Sequence, residues 1–418
     1  MNTKNFIYLF FILLSFNQLI AGTGGSTYSR YGIGDLQYHS NATTRGMGGT
    51  AIANLSPFTS NRLNPAGWTQ INRTRFSADL FFQGFSIDDG TQKSFLSGIN
   101  YYGFDFAIPI SDSNGIVIAA GLLPYSKVDY NIVTKGTFNN FNYDLNYSGE
   151  GGVSTAYIGG SYSPIPQLHF GAKFNYFFGN INHQIKQTFT SGDANSFELH
   201  RVNKLFGING TAGVIYTGLN EILNLSVSEK INVGFLISTP SNLNAELNRY
   251  YKYYAGGNII TRDSILIEEN KFKIPLALGL GVSYTTNSRY HFAADFYTQD
   301  WSKTKMLRDM PGTLKKNQRI SAGAELLPLF GTKVSDFNRI GLRLGFYQNQ
   351  TYYLVQNQKI NELGFTAGID FPIFGETRIA VAFDYSTRGT TSLQKDNIYR
   401  VSFGINGAEL WFLRPEEE

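Results

Sequence analysis

The sequence has 418 residues, of which 16% are charged, 42% apolar and 15% aromatic, with 44 Gly, 34 Phe, 26 Tyr and no Cys. The aromatic content excludes a disordered chain, and the missing Cys excludes disulfide frameworks, thiolate zinc sites and Cys nucleophiles. A net charge of +4 is too small to point to a nucleic-acid partner, and past the N-terminus there is no apolar run of about 18 residues that would predict a membrane-spanning helix.

Residues 1–21 begin with one cation, Lys4, continue through an apolar block at 6–16 broken only by Ser15, and end in Leu19-Ile20-Ala21, followed by Gly22. Charge, apolar block and small residues in that order predict a secretory signal peptide cleaved near Ala21. The mature chain is then expected outside the cytoplasm, which argues against NAD or ATP as a cofactor.

Residues 22–73 do not alternate. They are rich in small residues, as in Gly46-Met47-Gly48-Gly49-Thr50-Ala51, yet carry apolar anchors at Met47, Ile52, Leu63 and Trp68. A flexible tail has no use for such anchors.

From residue 74 to 413 the period is two. Tyr102, Phe104, Phe106, Ile108 and Ile110 alternate with Gly103, Asp105, Ala107 and Pro109; Phe170, Ala172, Phe174, Tyr176 and Phe178 alternate with Gly171, Lys173 and Asn175. Later segments do the same around Phe292, Leu344, Phe365, Phe383 and Phe403. Such alternation predicts strands with one apolar face, about fourteen of them, with residues 127–147 the hardest to divide. The second face holds Gly, Ala, Ser and Asn with isolated charges at Asp105, Asp295, Arg343, Asp384 and Arg400. A soluble sandwich would show a water-facing side rich in Lys, Glu and Thr. Small residues with single charges fit a closed lumen instead, with the apolar face toward lipid. The expected fold is therefore all-β: a transmembrane antiparallel β-barrel of about 14 strands, with residues 22–73 as a hatch or plug in the lumen, where small residues allow close packing. Tyr101, Tyr102, Tyr352, Tyr353, Trp411 and Phe412 are expected in the aromatic girdles. The lumen charges are expected to pair with Asp35, Arg45 and Arg62 of the plug; Arg343 and Arg400 are the candidates for binding a ligand carboxylate. Long outer loops are expected at 134–147, 188–204, 243–263 and 303–316, and residues 414–418 form an acidic tail.

Motifs for chemistry are sparse. Gly46-Met47-Gly48-Gly49-Thr50-Ala51 matches a dinucleotide fingerprint in letters, but the polar residues 41–45 do not supply the strand it needs. His39, His169, His183, His200 and His291 show no i, i+4 pairing. His39-Ser40 would need a loop to face each other, because neighbours on a strand point to opposite sides. Asp88-Asp89-Gly90 and Asp193 read as turn residues. No enzyme, cofactor or metal is expected.

Arg45-Gly46-Met47-Gly48-Gly49-Thr50-Ala51-Ile52-Ala53, followed by Asn64-Pro65-Ala66-Gly67, resembles the N-terminal hatch of the FadL-type outer-membrane transporters of hydrophobic compounds. Asp300-Trp301-Ser302, Asn361-Glu362-Leu363-Gly364 and Arg388-Gly389-Thr390-Thr391 resemble members from Bacteroidetes. The resemblance implies a bacterial outer-membrane protein for passive uptake of hydrophobic or amphipathic molecules such as long-chain fatty acids, with Arg45, Gly46, Met47, Gly48, Gly49, Asn64, Pro65 and Ala66 as the hatch motif. It also implies a sideways exit through a gap in the wall. Gly121 and Pro124 of the third strand are the candidate lateral gate, since Pro removes a ladder donor, although Pro124, like Pro109 and Pro372, also reads as a plain strand end. The partners implied are outer-membrane lipids, a hydrophobic small-molecule ligand and the barrel-assembly machinery during biogenesis, with the chain a monomer and no nucleic acid involved. A similar barrel of the PorV kind would instead be an adaptor of the type IX secretion machinery, with ordered outer loops and a sealed lumen.

Overall fold

The computed structural model describes residues 22–23, 25–88, 90, 93–138, 141–189, 196–226, 228–255, 258–268, 271–307, 312–329, 334–390 and 392–409. The expected signal peptide, Asp89, Asp193, Trp411, Phe412 and the acidic tail lie outside them. Fourteen barrel strands follow in chain order. They are β1 (Thr74–Asp88), β2 (Lys93–Ser111), β3 (Ile116–Phe138), β4 (Phe141–Ile165), β5 (Leu168–Phe189) and β6 (Ser196–Tyr216). Next come β7 (Lys230–Ser238 and Ser241–Ala255), β8 (Asn258–Glu268, Phe272–Ile274 and Ala277–Thr286), β9 (Tyr290–Asp300) and β10 (Thr313–Leu314 and Lys316–Leu326). The last four are β11 (Gly341–Val355), β12 (Gln358–Phe374), β13 (Thr377–Thr390) and β14 (Gln394–Glu409). Neighbours pair antiparallel, and β14 pairs with β1 from Lys395↔Asp88 to Glu409↔Thr74, closing the barrel. Prolines break β7 and β8 into pieces at Pro240 and Pro275, where a ladder donor is missing. The start of β1 and the end of β14 lie at one end; β3, β4 and β5 extend furthest at the opposite end, which marks that one as the outer end and the first as the periplasmic end of such barrels.

Strand β5 shows what the two faces meet. Phe170, Phe174, Tyr176 and Phe178 point outward and are exposed, while His169, Lys173 and Asn175 are buried inside. A protein in water would reverse that arrangement; lipid on the outside accounts for it. Beyond Phe178 the outward residues become Asn180, Asn182, Gln184 and Lys186, and the inward ones become apolar, with Phe177 and Ile181 buried. This switch marks the outer edge of the lipid band. A spanning strand needs about 9–11 residues, whereas β3, β4 and β5 have 23, 25 and 22. The surplus stands above the membrane. The expected loops at 134–147, 188–204 and 243–263 are therefore largely strand, because the alternation continues there with its polarity inverted. Phe174 sits mid-band, so Phe174→Lys should cost about 2–4 kcal/mol, read as an earlier midpoint of urea unfolding in vesicles; an unshifted midpoint would argue that no lipid meets this face.

Three of the aromatics expected in the girdles lie inside. Gly103 has φ +114° and sits at a bulge where the β1–β2 register shifts. The extra residue flips the alternation, so Tyr101 is 48% exposed while Tyr102 is 4% exposed and stacks on Phe81 with ring centroids 4.2 Å apart. Tyr352 and Tyr353 lie at a register shift of β11 above the lipid band and are both buried. Their rings join Trp301, Phe272, Tyr31 and Ile33 in an aromatic core that fills the outer half of the lumen. Burial of their rings against that core outweighs an interfacial position.

Candidate functional site, a lumen filled by the N-terminal segment

Residues 25–73 run through the lumen, and their turns explain why small residues are needed. Asn41 caps the short helix Ala42–Arg45: its side chain accepts from Thr44 N at 2.8 Å and Thr44 Oγ1 accepts from Asn41 N at 3.1 Å. Gly48 and Gly49 then take φ +70° and +81°, a conformation that suits glycine. The turn lies directly on wall glycines: a Cβ on Gly345 would meet Gly48 N at 2.1 Å, and one on Gly323 would meet Met47 O at 2.6 Å. Asn64 caps the 3-10 turn Pro65–Gln70 through Ala66 N at 3.1 Å, and its amide donates to Ile52 O at 2.7 Å. Pro65 presses on Gly171, where a Cβ would come within 2.2 Å. Trp68 donates to Asn61 O at 2.8 Å and stacks on Tyr157 of β4.

Buried charges tie this segment to the wall. Arg62 lies between Asp79 and Asp105, each at 2.7 Å. Arg45 pairs with Asp384, which also receives Arg400 at 3.1 Å and Tyr347 Oη at 3.1 Å; Arg400 further reaches Glu362 at 3.4 Å. Asp35 holds Arg388 at 2.8 Å. Asp295 accepts from Ala51 N and Ile52 N at 2.6 and 2.9 Å. Arg343 pairs with wall carboxylates Glu325 and Asp370. Further buried cations belong to this network and were not among the lumen charges read from the sequence: Lys173 donates to Arg62 O at 2.6 Å, and Arg319 donates to Gly48 O at 2.7 Å while lying 4.0 Å from the Tyr347 ring centroid. Both occupy inward positions of alternating strands, which is the signal that would have found them.

The two arginines singled out for a ligand are far apart in role. Arg400 borders a central cavity of about 60 Å³ shared with Tyr38, Arg45, Tyr102, Pro124 and Arg319. Arg343 borders a larger cavity of about 690 Å³ with Met47, Leu55, Phe58, His169 and His291, among the periplasmic turns. His39 and Ser40 form no hydrogen bond with each other; His39 Nδ1 and Ser40 Oγ have no partner. Burial, with Lys173 and Arg62 nearby, pushes the His39 imidazole down to about 3. Among the described residues no group of three His, Asp or Glu is placed to hold a metal.

Among the described residues the ladder between β2 and β3 is interrupted. Strands β2 and β3 pair only from Phe104↔Leu122 down to Ser111↔Ile116. Above Gly103 and Leu122 they part, and Pro124 stands at the parting, at a register shift of the β3–β4 ladder between Pro124 and Ser126. Strand β3 continues past it to Phe138, so Pro124 bends the strand and does not end it. Gly121 lies just below, still paired with Asp105. On the outside Tyr101 Oη approaches Ser154 Oγ at 3.3 Å, and Lys127 bonds Asn100 across the split.

A family model described as BamG matches residues 2–416. No curated protein matches the sequence. Solved structures that are similar include the P. putida toluene transporter TodX, at 18% identity and TM-score 0.64, with 89% of this chain and 99% of that one covered. The CymD monoaromatic hydrocarbon channel follows at 14% identity and TM-score 0.58, with 92% and 99% covered. A Pseudomonas aeruginosa FadL homologue has 11% identity and TM-score 0.58, with 90% and 98% covered. The barrel is thus of the FadL type, a fold of bacterial outer-membrane proteins.

Proposed function

The chain belongs to the BamG family, and from its fold and the split in its wall we propose that it is an outer-membrane barrel for passive uptake of hydrophobic or amphipathic small molecules, released sideways between β2 and β3. The observation that carries this reading is the parting of the two strands at Pro124 beside the central cavity. A greasy solute gains nothing from a water-filled pore, and a gap at the level of the outer lipid edge lets it leave without crossing water. The solved neighbours named for toluene and monoaromatic hydrocarbons have the same barrel, which supports the reading. The cavity of about 60 Å³ is well below the roughly 150 Å³ that holds a benzene in a protein interior. Uptake therefore requires residues 25–73 to shift, and Arg400 to exchange a wall carboxylate for one on the ligand. Lipids, the ligand and, during biogenesis, the barrel-assembly machinery are the proposed partners of a monomer.

A second reading, an outer-membrane adaptor or scaffold, is favoured by the aromatic core that packs the outer half of the lumen and by the strands that stand above the lipid band. Liposome uptake separates the two. With fatty acids, aromatic hydrocarbons and small sugars as solutes, the channel admits the first two classes and the adaptor admits none; entry of sugars alone defeats hydrophobic uptake. Deleting residues 22–73 should leave a folded, heat-modifiable barrel with increased nonspecific leak, and failure of that variant to fold would refute the plug.

A further inference from the structure

The split between β2 and β3 is filled by the chain's own amino-terminal residues. Gly22–Thr23 runs parallel to β2 beside Leu96 and Ser97, and Asp35–Leu36 runs antiparallel to β3 beside Lys127 and Ser126. Gln37 N donates to Tyr125 O at 2.9 Å, extending the second contact. Between the two, Ser29 exchanges hydrogen bonds with the Asp129 backbone at 2.9 and 3.0 Å. Tyr28 donates to Gln394 O at 2.6 Å, on β14. The fit is close: a Cβ on Gly34 would meet Lys127 O at 2.2 Å, and one on Gly25 would meet Asp129 O at 2.8 Å.

Strand direction says where the segment comes from. β2 descends from Lys93 at the outer end to Ser111 at the periplasmic end. A segment parallel to it also descends, so through Gly22–Thr23 the chain runs from the outer side inward. We propose that residues 22–23 and 25–36 form a strap that enters the lumen from the cell-surface side through the β2–β3 split, and that this strap seals the split. It supplies strand partners to two lips whose backbone donors and acceptors would otherwise face lipid or water unpaired. Its grip is uneven. Tyr28, Tyr31 and Ile33 are buried in the aromatic core, while the lip on β2 rests on two residue pairs. Local opening draws on the least anchored backbone, so Gly22–Thr23 is the part that peels and β2 is the edge that is freed. The sealing role rests on the uptake reading; the route of the strap does not.

The absence of Cys makes the route testable in the full chain. Thr23→Cys should react with a membrane-impermeant maleimide added to intact cells, whereas Ser113→Cys, on a periplasmic turn, should react only after the outer membrane is breached. Thr23→Cys combined with Ser97→Cys should form a disulfide on oxidation, seen as a change in gel mobility that reductant reverses. In proteoliposomes, entry of N-phenyl-1-naphthylamine through the double variant should fall several-fold on oxidation and return on reduction. Labelling of Thr23→Cys only from the periplasmic side, or a double variant that never oxidises, would overturn the strap. Equal and substantial entry in both redox states would overturn its sealing role. A disulfide that forms, with surface labelling intact but no entry in either state, leaves the strap standing and removes the uptake reading instead.

Discussion

Arg62→Met is expected to loosen the whole N-terminal segment from the barrel. The Arg62 guanidinium is fully buried and lies between two carboxylates, Asp79 and Asp105, each also without contact to solvent. Desolvating three ionic groups is expensive, so the triad is weak evidence of net stabilisation as a set, but removing one member is different. The substitution leaves two buried negative charges without their shared cation and deprives Ser40 O and Gly103 O of a donor. Breaking a buried pair costs about 3–5 kcal/mol. Most of that loss should fall on the attachment of residues 40–64, because the β-ladders on either side of Asp79 and Asp105 do not depend on Arg62. Hydrogen exchange should therefore rise in residues 40–64 while β5 and β12 stay protected. Adding Asp79→Asn and Asp105→Asn should restore part of the protection by removing the charge that Arg62 neutralised. If Arg62→Met leaves exchange of residues 40–64 unchanged, the triad does not hold the segment.

Much of this arrangement could be read from the residues, and the parts that could not have specific causes. Alternation alone shows that Phe170, Phe174 and Tyr176 share a face with Ala172, because side-chain direction on a strand has period two. It also put Asp105, Asp384 and Arg400 on the opposite face, where the two aspartates are buried and Arg400 is half-buried. What alternation cannot show is a bulge. One extra residue at Gly103 reverses the faces for the rest of β2, so Tyr102 could not be placed from its neighbours in sequence. Nor can it show where lipid ends. The strands β3 to β7 keep their period while exchanging faces, and the sequence at 127–147 looks irregular because the apolar side moves from outside to inside. Asn41 and Asn64 as caps and Gly48 and Gly49 as positive-φ positions emerge only in the structure; in the sequence residues 22–73 were legible as a small-residue segment with apolar anchors. The matching wall glycines, Gly171, Gly323 and Gly345, were not, since a glycine on a strand carries no mark of what approaches it. The split in the wall was legible only as a Pro beside a Gly; that Asp35–Leu36 and Gly22–Thr23 fill it is a long-range pairing that no local pattern encodes.

Asp384→Ala should damage the site as severely as loss of Arg62, and its pattern separates a structural from a ligand-binding role for Arg400. Asp384 is fully buried and serves Arg45 of the N-terminal segment, Arg400 of β14 and the Tyr347 hydroxyl at once. Its removal leaves two guanidinium groups facing each other, with Glu362 as the remaining carboxylate bonded to Arg400. The cost should again be about 3–5 kcal/mol, measured as a lower temperature for heat modification of the barrel on gels. Arg400→Met should cost less, because Asp384 keeps Arg45 and Tyr347. A double-mutant cycle between Asp384→Ala and Arg45→Met should return a coupling of about 0.5–3 kcal/mol, as expected for residues in one buried network. The same variants sort the two roles of Arg400. If Arg400 only anchors the wall to Asp384 and Glu362, then Arg400→Met changes uptake of a fatty acid and of an uncharged aromatic hydrocarbon alike. If it also receives a ligand carboxylate, uptake of the fatty acid falls selectively, because only that solute carries the group that a guanidinium holds in paired hydrogen bonds.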